Sequence, residues 1–233
     1  MSNANEASQS EAAPEYLLYH EPQSAALCGV HALNTLLQGP YIDEFQCAEI
    51  AQQLDTAERD LMAEAGMDGA DFIKFVADES SGNVDMSGMF SVQVLSKALE
   101  MWGLALVPLS SPDAGNARAE PQAYTGFICN LQEHWFTIRK IRGDWWNLNS
   151  LFSAPEPLSP FYLAAFLGTL QEQGYSIFLV RGPLMEPDPP AGSGSGAGNG
   201  GGQAGRWISA SEAREATKQK QNMKQQGFLK VAA

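Results

Sequence analysis

The chain has 233 residues, 44% of them hydrophobic, three cysteines and a formal charge of −13. That length supports one catalytic-sized core plus a tail. Three cysteines make no complete disulfide framework, no apolar run approaches a membrane span, and no secretory apolar segment follows Met1, so an intracellular chain with no membrane partner is expected.

In chain order, residues 1–15 are polar and rich in Ala, Ser and Glu, the composition of a disordered end. Helical spacing of apolar residues follows over 27–38, 44–54, 57–65, 70–77 and 91–102, the last stopped by Gly103. Strand-like runs occupy 104–109, 125–129, 134–141, 145–149 and 175–180, with a helix over 160–173 between the last two. The expected fold class is α+β: a helical N-terminal half, with a helical-hairpin insertion, packed on an antiparallel sheet.

Residues 184–205 combine Pro and Gly with few apolar groups and read as a flexible linker. Their formal Gly-x-Gly-x-x-Gly match at Gly196, Gly198 and Gly201 follows no strand, and no dinucleotide site is expected. Beyond the linker, residues 206–233 predict one short helix capped by Ser209, with Trp207 and Ile208 as exposed anchors lacking a core. The domain reading is therefore a disordered 1–15, a catalytic 16–183, a linker 184–205 and a tail 206–233. A chain ending near Pro183 is then expected to work as fast as the full one.

Chemistry concentrates at Cys28. Leu27, Val30, Leu33, Leu36 and Leu37 form a helical stripe ending at Gly39-Pro40, so Cys28 falls in the first turn of a helix. A thiol attacks as its thiolate, which the unpaired amides and dipole of that turn stabilise. His134 is the natural base, and Asn149 the group that would fix its tautomer by accepting from the second ring nitrogen. The polar turn at Arg142-Gly143-Asp144 predicts a hairpin that sets these two side by side. Gln23, in the loop entering the helix, can aim its amide at an oxyanion beside the Cys28 backbone amide.

Each residue has a plainer reading. A lone Cys on an apolar helix is usually core, and only the partners at matching positions outweigh that. Cys28 with His31 and Cys129 with His134 could sketch a Cys₂His₂ zinc site. The pairs fall in different kinds of element and a metal would occupy the nucleophile and base, so no metal or cofactor is expected. His31 reads instead as a hydrogen-bonded core residue and Cys47 as a small buried hydrophobe. Charge is −15 over residues 1–185 and +2 over the rest, which argues against nucleic acid and suits a basic partner.

The stretches Tyr19–Gly39, Ser81–Gly88, Phe127–Phe136 and Trp146–Leu151 resemble the Josephin domain. The resemblance runs from about Tyr16 to Pro183 and is closest to the longer members, because the helical insertion between Asp55 and Ser87 is present. It implies a papain-like fold and a ubiquitin-specific cysteine peptidase, with the family's catalytic Cys, His and Asn and oxyanion Gln matching Cys28, His134, Asn149 and Gln23. Ubiquitin and ubiquitin chains are the implied partners of a monomer found in nucleus and cytoplasm, with some relatives acting in transcriptional control. The family's ubiquitin surface near the cleft matches Val92 and Gln93, and a second surface matches Tyr41, Ile42 and Trp102. The ubiquitin-interacting helices, polyglutamine run and Arg/Lys-rich ATPase motif of longer members are not legible between Glu186 and Ala233. The competing reading is a catalytically idle ubiquitin-binding module of the same fold.

Overall fold

The computed structural model describes residues 15–64, 82–84, 89–131, 134–189, 191 and 205–231, with side chains to residue 226. Its elements in order are β1 (Leu17–His20), α1 (Cys28–Leu37), α2 (Glu44–Glu64), α3 (Val92–Glu100), β2 (Ala105–Pro108), β3 (Gly126–Leu131), β4 (His134–Ile141), β5 (Asp144–Asn147), β6 (Glu156–Leu158), α4 (Pro160–Glu172), β7 (Ser176–Arg181), β8 (Arg206–Ser209) and α5 (Ala210–Val231). Two short 3₁₀ turns, Pro112–Ala114 and Pro121–Ala123, punctuate the polar loop before β3.

Six strands form one antiparallel sheet in the order β2-β7-β3-β4-β5-β6. Alternation along its central strands divides the core in two. Ile128, Trp135 and Val180 face Leu33, Leu36, Val94, Leu95 and Leu99 of α1 and α3. Phe127, Cys129, Phe136, Ile138, Ile177 and Leu179 face Leu163, Leu167 and Leu170 of α4 on the opposite side. The fold class is α+β, as expected, with helices on both faces of the sheet.

Local details differ from the expected pattern for identifiable reasons. The helices anticipated over 44–54 and 57–65 are one continuous α2 through Glu64. Its Asp55-Thr56 step continues the helix, with the Thr56 hydroxyl satisfied by the Gln52 carbonyl (2.8 Å) and the buried Asp55 carboxylate accepting from Asn83 Nδ2 (2.7 Å) instead of competing for backbone amides. The helix expected over 70–77 lies outside the described residues. At the end of α1 it is Gln38, not Gly39, that takes the left-handed conformation. Its side-chain amide donates to the carbonyls of Thr35 and Tyr19 and accepts from the Tyr19 amide, which compensates the conformational cost and ties α1 to β1.

The reading of Trp207 and Ile208 as exposed anchors is corrected. Strand β8 pairs antiparallel with β1, Leu18 opposite Ile208 and His20 opposite Arg206. Trp207 is 6% exposed and Ile208 1%. Ile208 closes a third core cluster in which Leu18, Trp146 and Leu148 of the N-terminal and sheet regions meet Ile208, Ala210 and Ala213, while Trp207 packs edge to face on Tyr19. The helix that follows spans 22 residues rather than one short turn or two. Ahead of it, residues 185–187 are held against the hairpin β4–β5: Met185 O accepts from Arg139, Pro187 O from Arg142 Nη2, and the Glu186 carboxylate from the Arg142 amide.

Candidate active site

Helix α1 begins at Cys28. No side chain caps its N-terminus and no acidic residue lies in its first turn, so the amide dipoles there are available to a thiolate. Helix and strand β4 run alongside each other in step. Arg139 donates to Leu36 O, Thr137 Oγ1 donates to Ala32 O at 2.8 Å, and a Cβ on Gly29 would lie 3.7 Å from Trp135 Cδ1. These contacts run along β4 from Arg139 to Trp135 toward the start of α1, the end of the helix at which Cys28 lies.

His134 opens β4 and Asn149 lies just beyond β5, the two strands joined at Arg142-Gly143 with both residues at positive φ (49° and 90°). This is the primed turn whose twist suits a two-residue hairpin. The side chains meet as the spacing predicts, with His134 Nε2 2.8 Å from Asn149 Oδ1. Asn149 Oδ1 also accepts the Leu151 amide at 2.9 Å, which fixes the amide with its oxygen toward the ring. An oxygen acceptor requires Nε2 to carry the hydrogen, leaving Nδ1 as the basic nitrogen.

Gln23 is anchored to the same loop as Asn149. Its backbone amide donates to Ser150 O (2.7 Å), its Oε1 accepts from Ser150 Oγ (2.6 Å), and its Nε2 donates one hydrogen to Ala25 O (2.7 Å). The amide orientation is thereby set, with the second Nε2 hydrogen unused by these bonds.

Behind this loop lies a buried polar cluster that sequence reasoning noticed only through His31. Glu21 accepts from Tyr19 OH (2.7 Å) and Asn34 Nδ2 (3.0 Å) through one oxygen and meets His31 Nδ1 (2.7 Å) through the other. His31 Nε2 accepts the Ser24 amide at 3.3 Å, and Asn34 pins Ile42 through both its amide and its carbonyl groups. His31 is thus a hydrogen-bonded core residue, as read. The cluster fixes residues 21–24 on α1, the helix that carries Cys28. Nothing in the spacing of Glu21 or Asn34 marks them as buried, because acidic and amide residues in a loop or on a helix are most often solvated.

The other two cysteines lie in closed packing, and none of the three is disulfide-bonded. Burial pushes the Cys47 thiol up to about 12 and the Cys129 thiol higher still, so both are inert. Cys28 and Cys129 sit in separate core clusters on opposite faces of the sheet. Of the surface positions, Gln93 is exposed and Val92 half-buried against the first core. The Tyr41 and Trp102 rings lie 4.9 Å apart and are 48% and 41% exposed, whereas Ile42 is a core residue at 4%. The side chain of Ile42 does not belong to that surface.

The Josephin family model matches residues 23–181, more than half of the chain, Gln23, Cys28, His134 and Asn149 included. The chain belongs to the Josephin family. An ataxin-3 homolog of Oryza sativa subsp. japonica is 47% identical over 86% of this Josephin chain and 59% of its own length. The ataxin-3 homolog of Arabidopsis thaliana is 47% identical over 87% and 71%, and human ataxin-3 is 49% identical over 72% and 46%. The chain therefore spans roughly half to seven tenths of the length of these relatives. The plant alignments cover more residues than lie before the end of the family match, so they continue into the segment that follows residue 181.

Proposed function

We propose that this Josephin chain is a thiol-dependent ubiquitinyl hydrolase that cleaves after the C-terminal Gly of ubiquitin. The observation that carries the reading is the His134–Asn149 bond, with the amide orientation fixed by Leu151, in a chain whose Cys28 is the first residue of an uncapped helix. That arrangement leaves Nδ1 to take the Cys28 proton while the helix terminus favours the thiolate.

Cys28 Sγ adds to the carbonyl carbon of the terminal Gly. The oxyanion is received by the Cys28 amide and the second hydrogen of Gln23 Nε2. Collapse breaks the C–N bond, the leaving amine takes its proton from the His134 imidazolium, and a thioester remains. Water, deprotonated by Nδ1, then attacks that thioester and releases the carboxylate and the free thiol. Cys28 is only 2% exposed, so the carbonyl must arrive on a chain without side chains near the scissile bond, which a Gly-Gly terminus provides. Tyr41 with Trp102, and Gln93 beside Val92, are the surfaces assigned to ubiquitin itself, and the acidic charge of residues 1–185 matches ubiquitin's basic face.

The test is reaction of the full chain with ubiquitin carrying a C-terminal electrophile, followed by peptide mapping. A stoichiometric adduct on Cys28 that is absent in Cys28→Ala is expected. Binding of ubiquitin without an adduct would leave a non-catalytic binding module instead.

A further inference from the structure

Contacts from β1, β4, β8, α5 and the Gln23 loop converge on the five residues 149–153 that follow the hairpin. At one end the loop carries Asn149, bonded to His134, and Ser150, bonded to Gln23. Its other end is held by consecutive carbonyls. Phe152 O lies 2.8 Å from His20 Nε2 and Ser153 O accepts from Arg206 Nη2 at 2.9 Å. His20 and Arg206 are register partners across the β1–β8 pair, so the two clamps form one unit. From α5, Lys220 Nζ sits 4.1 Å over the Phe152 ring and pairs with Glu156 at the loop's exit. The Phe152 amide closes the loop on itself by donating to Asn149 O at 3.0 Å.

The strand that brings Arg206 into place also packs against the anchoring residues of the Gln23 loop. The Trp207 and Tyr19 rings are 5.4 Å apart, edge to face. Gly205 lies so close to Tyr19 and Glu21 that a Cβ there would sit 2.5 Å from each side chain.

We propose that the C-terminal segment 205–231 is a positioning element of the active site, in which Arg206 and Lys220 hold the 149–153 loop and thereby the orientation of Asn149 and Gln23. This rests on the catalytic reading above. Neither residue reaches the reacting atoms; both act through the loop. Two facts set this role apart from simple burial of apolar surface. The carbonyl clamp is polar and partly solvated, and it is applied at Phe152 and Ser153, one residue beyond the Asn149-Ser150 pair that bonds His134 and Gln23.

Two experiments test it. In the full chain, Arg206→Ala and Lys220→Ala should each lower kcat by about tenfold, the order expected for a slight misplacement of an orienting group. KM and melting temperature should change little, and Arg206→Lys should restore most of the loss. Unchanged kcat in both variants overturns the proposal, as does a loss fully explained by unfolding. The second experiment keeps the chain whole and compares the wild type with the folded Arg206→Ala and Lys220→Ala variants. The readout is the pH profile of Cys28 alkylation by iodoacetamide, which needs no ubiquitin. The proposal requires the thiolate limb to move toward higher pH in the variants and to return in Arg206→Lys. A profile unchanged in both variants overturns it. If the profile responds but the wild-type chain does not hydrolyse ubiquitin conjugates, the positioning role stands and the ubiquitin reading falls.

Discussion

At the scale of single residues, the arrangement around Asn149 ranks the consequences of substitution. Cys28→Ala and His134→Ala each remove a partner of one proton transfer and should each abolish cleavage of a ubiquitin amide, because the two act as a unit. Asn149→Ala should be milder, since it removes an acceptor whose place water can take while Nδ1 remains basic. Gln23→Ala should lower kcat by about 10²–10³ with KM nearly unchanged, because an oxyanion donor meets charge only in the transition state. Steady-state rates on one fluorogenic ubiquitin substrate check the whole series, and an inactive, folded Asn149→Ala would refute the ranking. A second residue, His20, gives a pH signature. It is fully buried, burial lowers its pKa below the usual 6.5, and its Nδ1 has no partner among the described residues. Between the lowered native value and 6.5 the unfolded chain binds a proton that the native chain does not, so stability rises with pH there. The His20 contribution is complete above pH 6.5 and is lost as pH falls below it. The difference in unfolding free energy between wild type and His20→Gln, from urea titrations, should therefore be constant from about pH 7.5 to 6.5 and shrink below it, by up to about 1.4 kcal/mol per pH unit.

At the scale of elements, what could be read in advance depended on whether a residue's pattern or its partner decides its place. Alternation made β3, β4, β5 and β7 legible, because both faces of the sheet are apolar and a strand buried on both sides advertises itself. The strands β1 and β8 have four residues each and exist through a partner far along the chain, Leu18 through Ile208, and the three-residue edge strand β6 exists only through its pairing with β5, Pro157 opposite Trp146. No local pattern announces such a pairing. The same distinction separates the site residues: Cys28, His134 and Asn149 declare themselves by type and flanking strands, whereas Glu21, Ser150 and His20 are polar residues whose burial only the fold creates. The hairpin turn was legible because its chemistry is local. Gly143 has φ +90° and open space around the position of a Cβ, so Gly143→Ala imposes backbone strain without a clash. It should cost about 1–2 kcal/mol in urea unfolding. Turnover should change far less, because Trp145 and Trp146, both essentially fully buried, hold the register of β5 regardless of the turn.

At the scale of the whole molecule, the domain extends past the point at which composition suggests it stops. Leu18, Trp146 and Leu148 are at most 1% exposed, and that burial includes contact with Ile208, Ala210 and Ala213 from the far end of the chain. Arg214 adds a bond to Asp144 Oδ2 at 2.6 Å and lies 5.2 Å from the centre of the Trp146 ring. The half-exposed ion pair contributes little by itself, so the apolar contacts carry the docking of the segment. A chain ending near Pro183, expected from composition to work as fast as the full one, is predicted from this packing to be less stable, because removal of β8 and α5 uncovers Leu18, Trp146 and Leu148. The sharpest form of the prediction uses the full chain. Were the tail an appendage, Ile208→Ala would leave unfolding unchanged; with Ile208 1% exposed between Leu18 and Trp146 it should cost about 2–5 kcal/mol. The substitution Met223→Ala, at a side chain 66% exposed on α5, should cost almost nothing and serves as the internal control. Equilibrium urea unfolding followed by tryptophan fluorescence reads both. A single transition in wild type that shifts to lower urea for Ile208→Ala, with no separate early phase, would establish that the C-terminal segment unfolds together with the domain whose active-site loop it holds.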